Sequence, residues 1–181
     1  PKYLRKTFNN KKEKIFLDYR TIGHFITNGN NNVAMTMDQV NNFYNNNQFD
    51  LPTQPLSETS LKPFMFGGNE NDGYNYYGKL SESKYFVSIA NRIGQAAFDA
   101  ASIGSLVIGT DKSDLHKRLC HPDALMTGEF TVDDLKKKIN EFEVDKDKFD
   151  NAWNHQEKFL SLYCVDKPIN NLKKACKIKT S

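Results

Sequence analysis

Apolar residues recur every three to four positions along much of this chain, and that spacing predicts helices. Ile15, Tyr19, Ile22 and Ile26 share one face of a helix over residues 12–27. Asn28-Gly29 follows and can supply the left-handed residue that stops it. Thr36-Met37-Asp38-Gln39 has the form of a capping box and leads a short helix through Val40, Phe43 and Tyr44. Ser81 or Ser83 suits the cap of a long helix with Phe86, Ile89, Ile93, Ala97 and Ala101 inward. The alanines at 90, 96, 97, 100 and 101 would let a neighbouring helix approach closely.

The second half is the more regular. A short helix from Ser113 ends before Pro122, and Thr131 caps the next, with Val132, Leu135 and Ile139 inward. Asp145 or Asp147 starts another through Phe149, Ala152, Trp153, Gln156, Leu160 and Tyr163. Pro168 suits the first turn of a last helix carrying Ile169, Leu172 and Cys176. No segment alternates strongly enough to demand a sheet. The expected fold is mainly α, an irregular helical bundle. Between Asn45 and Gly78 the pattern fails, and Pro52, Pro55 and Pro63 punctuate an extended stretch that runs into "MFGGNENDGYNYYG". A loop this long is commonly functional or wrapped on a partner. The expected division is a basic arm over 1–14, a helical and extended segment over 15–78, and a helical domain over 79–181.

Composition narrows the class. The chain has 181 residues, 38% of them hydrophobic and 26% charged, ordinary for a soluble protein with a real core. No apolar run approaches the roughly 20 residues of a membrane helix. Residues 86–108 come nearest, and Asn91, Arg92, Gln95 and Asp99 interrupt them. The net charge of +3 conceals basic ends: Lys2, Arg5, Lys6, Lys11, Lys12 and Lys14 in front, Lys167, Lys173, Lys174, Lys177 and Lys179 behind. Such ends are usually solvated tails. Nucleic acid is the alternative partner they permit, with only Tyr3 and Phe8 nearby to stack on bases. No asparagine begins a glycosylation sequon.

Several motifs fail on their chemistry. "SESK" at 81–84 matches a Ser-x-x-Lys nucleophile motif, but the "KTS" that would accompany it is the last three residues of the chain, where those enzymes place Lys-Thr-Gly on an inner strand. "GTDKS" at 109–113 lacks the Gly-Lys-Ser/Thr of a phosphate loop. Residues 68–79 put Gly68 and Lys79 where a calcium loop needs oxygen ligands. His116 and Cys120 share a helical face beside His121, which would allow a metal or a thiolate–imidazole pair. No further ligands stand at a recognisable spacing, so neither a metal nor a cofactor is expected. Cys120, Cys164 and Cys176 each lie near a helix end, and three arrangements stay open: Cys120–Cys164, Cys164–Cys176, or three thiols. The first would add about 4 kcal/mol in the loop-entropy model.

A helix rich in small residues ("IGQAAFDAASIGSL"), then "CHP", then a threonine-capped helix ("FTVDDLKKKINEF") and a helix ending in Cys at "FLSLYC" form an ordered series. This series resembles the small helical periplasmic immunity proteins of type VI secretion, which neutralise peptidoglycan amidase effectors. The likeness covers roughly residues 85–165 and has no counterpart for residues 1–80 or for the tail with Cys176. It implies a disulfide between Cys120 and Cys164 and leaves Cys176 free or pairing between chains. It also implies a periplasmic or secreted setting, with a signal peptide removed before Pro1.

The expected function is therefore a non-enzymatic extracytoplasmic protein-binding module, either an immunity-type inhibitor or a structural subunit of a secretion or envelope assembly. A cytoplasmic nucleic-acid-associated protein and a hydrolase with an unrecognised site are the alternatives. The expected contact surface for another protein is Phe64 to Tyr77, above all Phe64, Phe66, Tyr74, Tyr76 and Tyr77, a stretch with almost no charge.

Overall fold

A computed structural model describes residues 13–27, 35–53, 78–89 and 95–162. It corrects the expected fold class. The chain builds an α/β unit around a parallel sheet of four strands, ordered β1-β2-β3-β4. The strands are β1 (Lys14–Leu17), β2 (Ser83–Val87), β3 (Leu106–Thr110) and β4 (Leu125–Met126). Helices α1 (Tyr19–Ile26) and α2 (Met37–Asn46) follow β1, α3 (Gln95–Ile103) follows β2 and α4 (Asp114–Leu119) follows β3. After β4 come α5 (Val132–Val144) and α6 (Lys146–Leu162).

The reason for the correction lies in burial. Strands covered on both faces need no polar alternation and read as short unbroken apolar runs. "KIFL", "SKYFV" and "LVIGT" are such runs, and all five residues of β3 are buried. Where the pattern predicts one helix over 12–27, the chain forms β1 and then α1. Where it predicts one long helix from 81 or 83, it forms β2 and then α3. Over residues 85–165, on which the likeness to immunity proteins rests, strands alternate with helices.

The later helices match expectation, because their signals are local. Thr36 and Gln39 close a capping box on α2, and Thr131 and Asp134 close one on α5. The Ser113 hydroxyl accepts from the His116 amide at the start of α4. Gly104, at φ 94°, ends α3 with two bonds, Ser105 N–H to the Ala100 carbonyl and Gly104 N–H to the Ala101 carbonyl. That pair is a Schellman stop, for which glycine is suited. Ala97, Ala100 and Ala101 are fully buried where α3 packs on β2 and β3, and α3 also touches α6.

The central strand sets the layout. Tyr85, Phe86 and Val87 of β2 pair with Leu106, Val107 and Ile108 of β3 along one edge. On the other edge β4 reaches only Gly109 and Thr110. The gap below it is closed by a side chain from α6. Gln156 accepts from the Val107 N–H at 2.9 Å and donates through Nε2 to the Ser105 carbonyl at 2.8 Å. Its amide thus takes the place of a missing strand residue. Ser105 Oγ donates to the Ser83 carbonyl at 2.8 Å and so ties the foot of β3 to β2.

Gln156→Leu is expected to remove the bonds to Val107 N–H and to the Ser105 carbonyl at once. An unsatisfied buried group costs roughly 1–3 kcal/mol. The variant should therefore lose about 2–6 kcal/mol in urea unfolding. Equal stability of Gln156→Leu and wild type would show that the edge is satisfied in another way.

Candidate functional site

Parallel strands point all their carboxyl ends to one rim, and ligands of open α/β sheets bind where neighbouring strands are connected in opposite directions. Among the four strands every connection steps the same way, and counting the isolated bridge at Thr53 as an outer strand places one reversal between β1 and β2. From β1 the chain passes outward to a parallel bridge between Ile15 and Thr53, and Ile15 N–H donates to the Pro52 carbonyl at 2.9 Å. It then returns to pair β2 on the opposite side of β1 and continues away to β3 and β4. The residues at the carboxyl ends of β1 and β2 are therefore the candidate site.

Asp18 follows β1 immediately and occupies the N-cap position of α1, but its carboxylate makes no cap hydrogen bond. It accepts from Ser88 Oγ, the residue after β2, at 3.4 Å. Backbone and side-chain bonds hold this corner rigid. Asp18 N–H donates to the Val87 carbonyl at 3.0 Å, and Thr21 Oγ1 donates to the same carbonyl at 2.9 Å. Ile89 N–H in turn donates to Thr21 Oγ1 at 3.1 Å. The buried Thr21 hydroxyl thus satisfies backbone groups that β2 exposes as it leaves the sheet.

The loops after β3 and β4 approach the same rim. Asp111 N–H donates to the Met126 carbonyl at 3.0 Å, and Lys112 N–H donates to Thr110 Oγ1 at 3.3 Å. His24 of α1 stacks on Phe130, with ring centroids 5.2 Å apart. Burial, and next the nearby Lys112 ammonium, hold the His24 imidazole below its ordinary pKa. Lys112 itself is exposed. The rim thus carries an acid and a hydroxyl over β1 and β2, with a cation and an imidazole to one side.

Beneath the rim lies His116, fully buried, its ring laid against Gly109 of β3. A Cβ at Gly109 would stand 2.8 Å from His116 Cγ, so only glycine leaves room for the ring. Thr110 N–H lies 3.4 Å from His116 Nδ1, which accepts from it. With Nδ1 accepting, the neutral ring carries its proton on Nε2, and that atom has no partner among the described residues. Burial pushes the pKa down to about 4.

Among the described residues Cys120 is a free thiol, in the core and 1% exposed. Burial raises its pKa strongly, against a hydrogen bond from the Gly109 backbone, so it is neither a thiolate nucleophile nor a ready metal ligand. The His116/Cys120/His121 group of the sequence is thereby divided. His116 and Cys120 face the core, while His121 turns outward to meet His155 of α6, ring centroids 5.6 Å apart. Among the described residues no group of three or more His, Cys, Asp or Glu side chains is arranged to hold a metal. Cys164 and Cys176 lie outside the described residues. So do Phe64, Phe66, Tyr74, Tyr76 and Tyr77, and both basic ends apart from Glu13 and Lys14. No helix among the described residues is long and apolar enough to cross a membrane.

Comparison with protein-family models, curated proteins and solved structures finds no match. Asp18, Thr21 and Ser88 were not singled out in the sequence. The signal that marks them is positional: Asp18 and Ser88 each stand just beyond a short apolar run, where a parallel strand ends, and Thr21 follows in the first turn of α1.

Two outcomes test the chemistry beneath the rim. His116 has a lower pKa folded than unfolded, so the unfolded chain takes up the proton first as pH falls. Its contribution is complete above about 6.5 and is lost as pH drops toward about 4, where the loss levels off. A 2.5-unit shift corresponds to about 3 kcal/mol. Urea unfolding of wild type should fall by about that much more between pH 7 and 4 than unfolding of His116→Asn, whose Oδ1 can still accept from Thr110. Gly109→Ala should cost about 1–3 kcal/mol by overpacking against His116. A neutral effect would mean that the ring moves freely.

Proposed function

We propose that the α/β unit is a binding domain for a nucleotide-class small molecule, seated at the carboxyl ends of β1 and β2. The observation that carries this reading is the reversal of connection between those strands, with Asp18 and Ser88 standing at the reversal. An acid at a strand end in such sheets commonly takes a sugar hydroxyl, and Lys112 supplies a cation for an anionic group at the same rim. The reading is made by analogy of architecture and position, and it assigns no catalytic residue.

A second reading concerns a partner. The stretch Phe64 to Tyr77 holds five aromatics in fourteen residues with almost no charge, and Tyr-rich, glycine-containing segments make adhesive surfaces. We propose it as the contact for another protein, in the same chain as the ligand crevice.

Calorimetric titration with a panel of ribonucleotides and sugar nucleotides tests the first reading. At least one is expected to bind saturably. Asp18→Asn, nearly isosteric and with no cap bond to lose, should weaken that binding tenfold or more with little change in Tm. A panel without binders at millimolar concentration, or an affinity indifferent to Asp18→Asn, would remove the proposal.

A further inference from the structure

The turn that joins β3 to α4 is fastened at both ends by one residue, His116. Thr110, the last residue of β3, has its N–H on His116 Nδ1 at 3.4 Å. From there the turn folds back on itself. Lys112 N–H donates to Thr110 Oγ1 at 3.3 Å, and Ser113 N–H donates to the Thr110 carbonyl at 3.4 Å. Ser113 Oγ then accepts from the His116 amide at 3.4 Å. Asp111 N–H, on the Met126 carbonyl at 3.0 Å, extends the fastening to β4.

This fastening holds for one protonation state only. The neutral ring, with its proton on Nε2, accepts at Nδ1. A proton added at Nδ1 would set the ring N–H against the Thr110 N–H, donor against donor. The charged ring would then carry two donors and no acceptor among the described residues, since Nε2 already has no partner there. His116 is fully buried, and an uncompensated charge in such a place is too costly to keep. Gly109 blocks retreat towards β3, because its backbone lies against the ring. The way left is outward, with α4. Ionisable neighbours do not change this. β3 has none, and α6, packed on α4 and β3, brings His155 and Glu157. The turn brings Asp111 and Lys112, and α4 itself brings Asp114, Lys117, Arg118 and the Cys120 thiol. Asp114 is paired with Lys117 at 2.8 Å, and His155 Nε2 lies on the Arg118 carbonyl. None of these charges bears on the ring, whose pKa is lowered by burial alone.

We propose that His116 is a proton-operated latch: one proton on its ring releases the inner face of α4 from β3, and with it the turn over 110–113, while the rest of the sheet stays folded. The latch goes beyond the reading of the rim as a ligand site and does not depend on it. Its range follows from the two positions of the ring. Seated, the ring titrates near 4; released into water, it takes its ordinary value of 6.5. The ratio of released to seated chains therefore rises as pH falls from about 6.5 to about 4, by up to about 300-fold, and levels off below. The sheet outlasts the release because the β2–β3 pairs and both Gln156 bonds lie below the turn and share no group with it.

The test is a pH series from 7 to 4 on the full chain by heteronuclear NMR, with His116→Asn beside wild type. Asparagine keeps an acceptor for the Thr110 N–H and brings no titrating group. In wild type the amide resonances of residues 110–120 should leave their native positions as pH falls, with a midpoint between about 4 and 6.5, while those of Val87, Val107 and Leu135 stay native. In His116→Asn residues 110–120 should stay native throughout. Three results would each overturn the latch: no movement of 110–120 in wild type, loss of all resonances together, or the same movement in His116→Asn. Should that variant not fold, Cys120 gives a second measurement, because it lies on the released face of α4. A dipyridyl disulfide, which reacts with thiols in acid, should label wild-type Cys120 about tenfold or more faster at pH 5 than at pH 7. Each rate is read by peptide mapping and taken relative to the rate in urea at the same pH. Equal relative rates would refute the proposal.

Discussion

Everything in this fold depends on satisfying the backbone of one buried strand. All of β3 is enclosed, so each of its amides and carbonyls must find a partner inside the protein. β2 answers one edge, and β4 answers only the upper part of the other. The remainder falls to Gln156, whose side-chain amide has the donor and acceptor of a peptide group at the right separation. That requirement explains a buried glutamine in a helix that otherwise buries Ala152 and Phe159. It also fixes α6 in position and rotation along β3. With α6 fixed, His155 is delivered to the Arg118 carbonyl and to the ring of His121.

The same strand organises the opposite rim. Beyond the last β2–β3 pair, Thr110 N–H has no strand to bond, and His116 supplies the acceptor. Gly109 makes the space for that ring. Below the rim the polar groups serve the sheet: Thr21 serves β2, His116 serves β3. Asp18 and Ser88 differ from these, since each meets the other in a weak contact at the point where the connections diverge.

Legibility in the sequence followed the range of the interactions. Thr36, Ser113 and Thr131 were readable because a cap and the amide it accepts from lie within one turn of chain. Leu135 and Ile139 were readable because α5 lies on the surface and alternates between core and solvent with helical period. The sheet was not readable by the same means. A strand buried on both faces shows no alternation, and Phe86 and Ile89 are spaced as a helix would space them although Phe86 lies in a strand and Ile89 just past its end. Gly104 was the available signal, since a glycine between "QAAFDAASI" and "LVIGT" marks a stop where the helical pattern continues without a break. Gln156 was placed on a helix, but nothing local predicts that its amide completes a strand 49 residues earlier.

The histidines show how far a helical face argument reaches. His116 and Cys120 do share a face, as four-residue spacing requires, and that face is turned to the core, where burial keeps the imidazole neutral and the thiol protonated. His121 sits one residue past Cys120, beyond the C-cap of α4, where the backbone turns extended at ψ 141°. That turn, with Pro122 fixing the next φ, points His121 away from the pair it adjoins in sequence and toward a histidine of α6. Adjacency in sequence grouped Cys120 with His121, and the end of a helix separated them. The chemistry available to each is decided there: His116 and Cys120 become packing and backbone partners, and His121 becomes a surface imidazole with a second ring beside it.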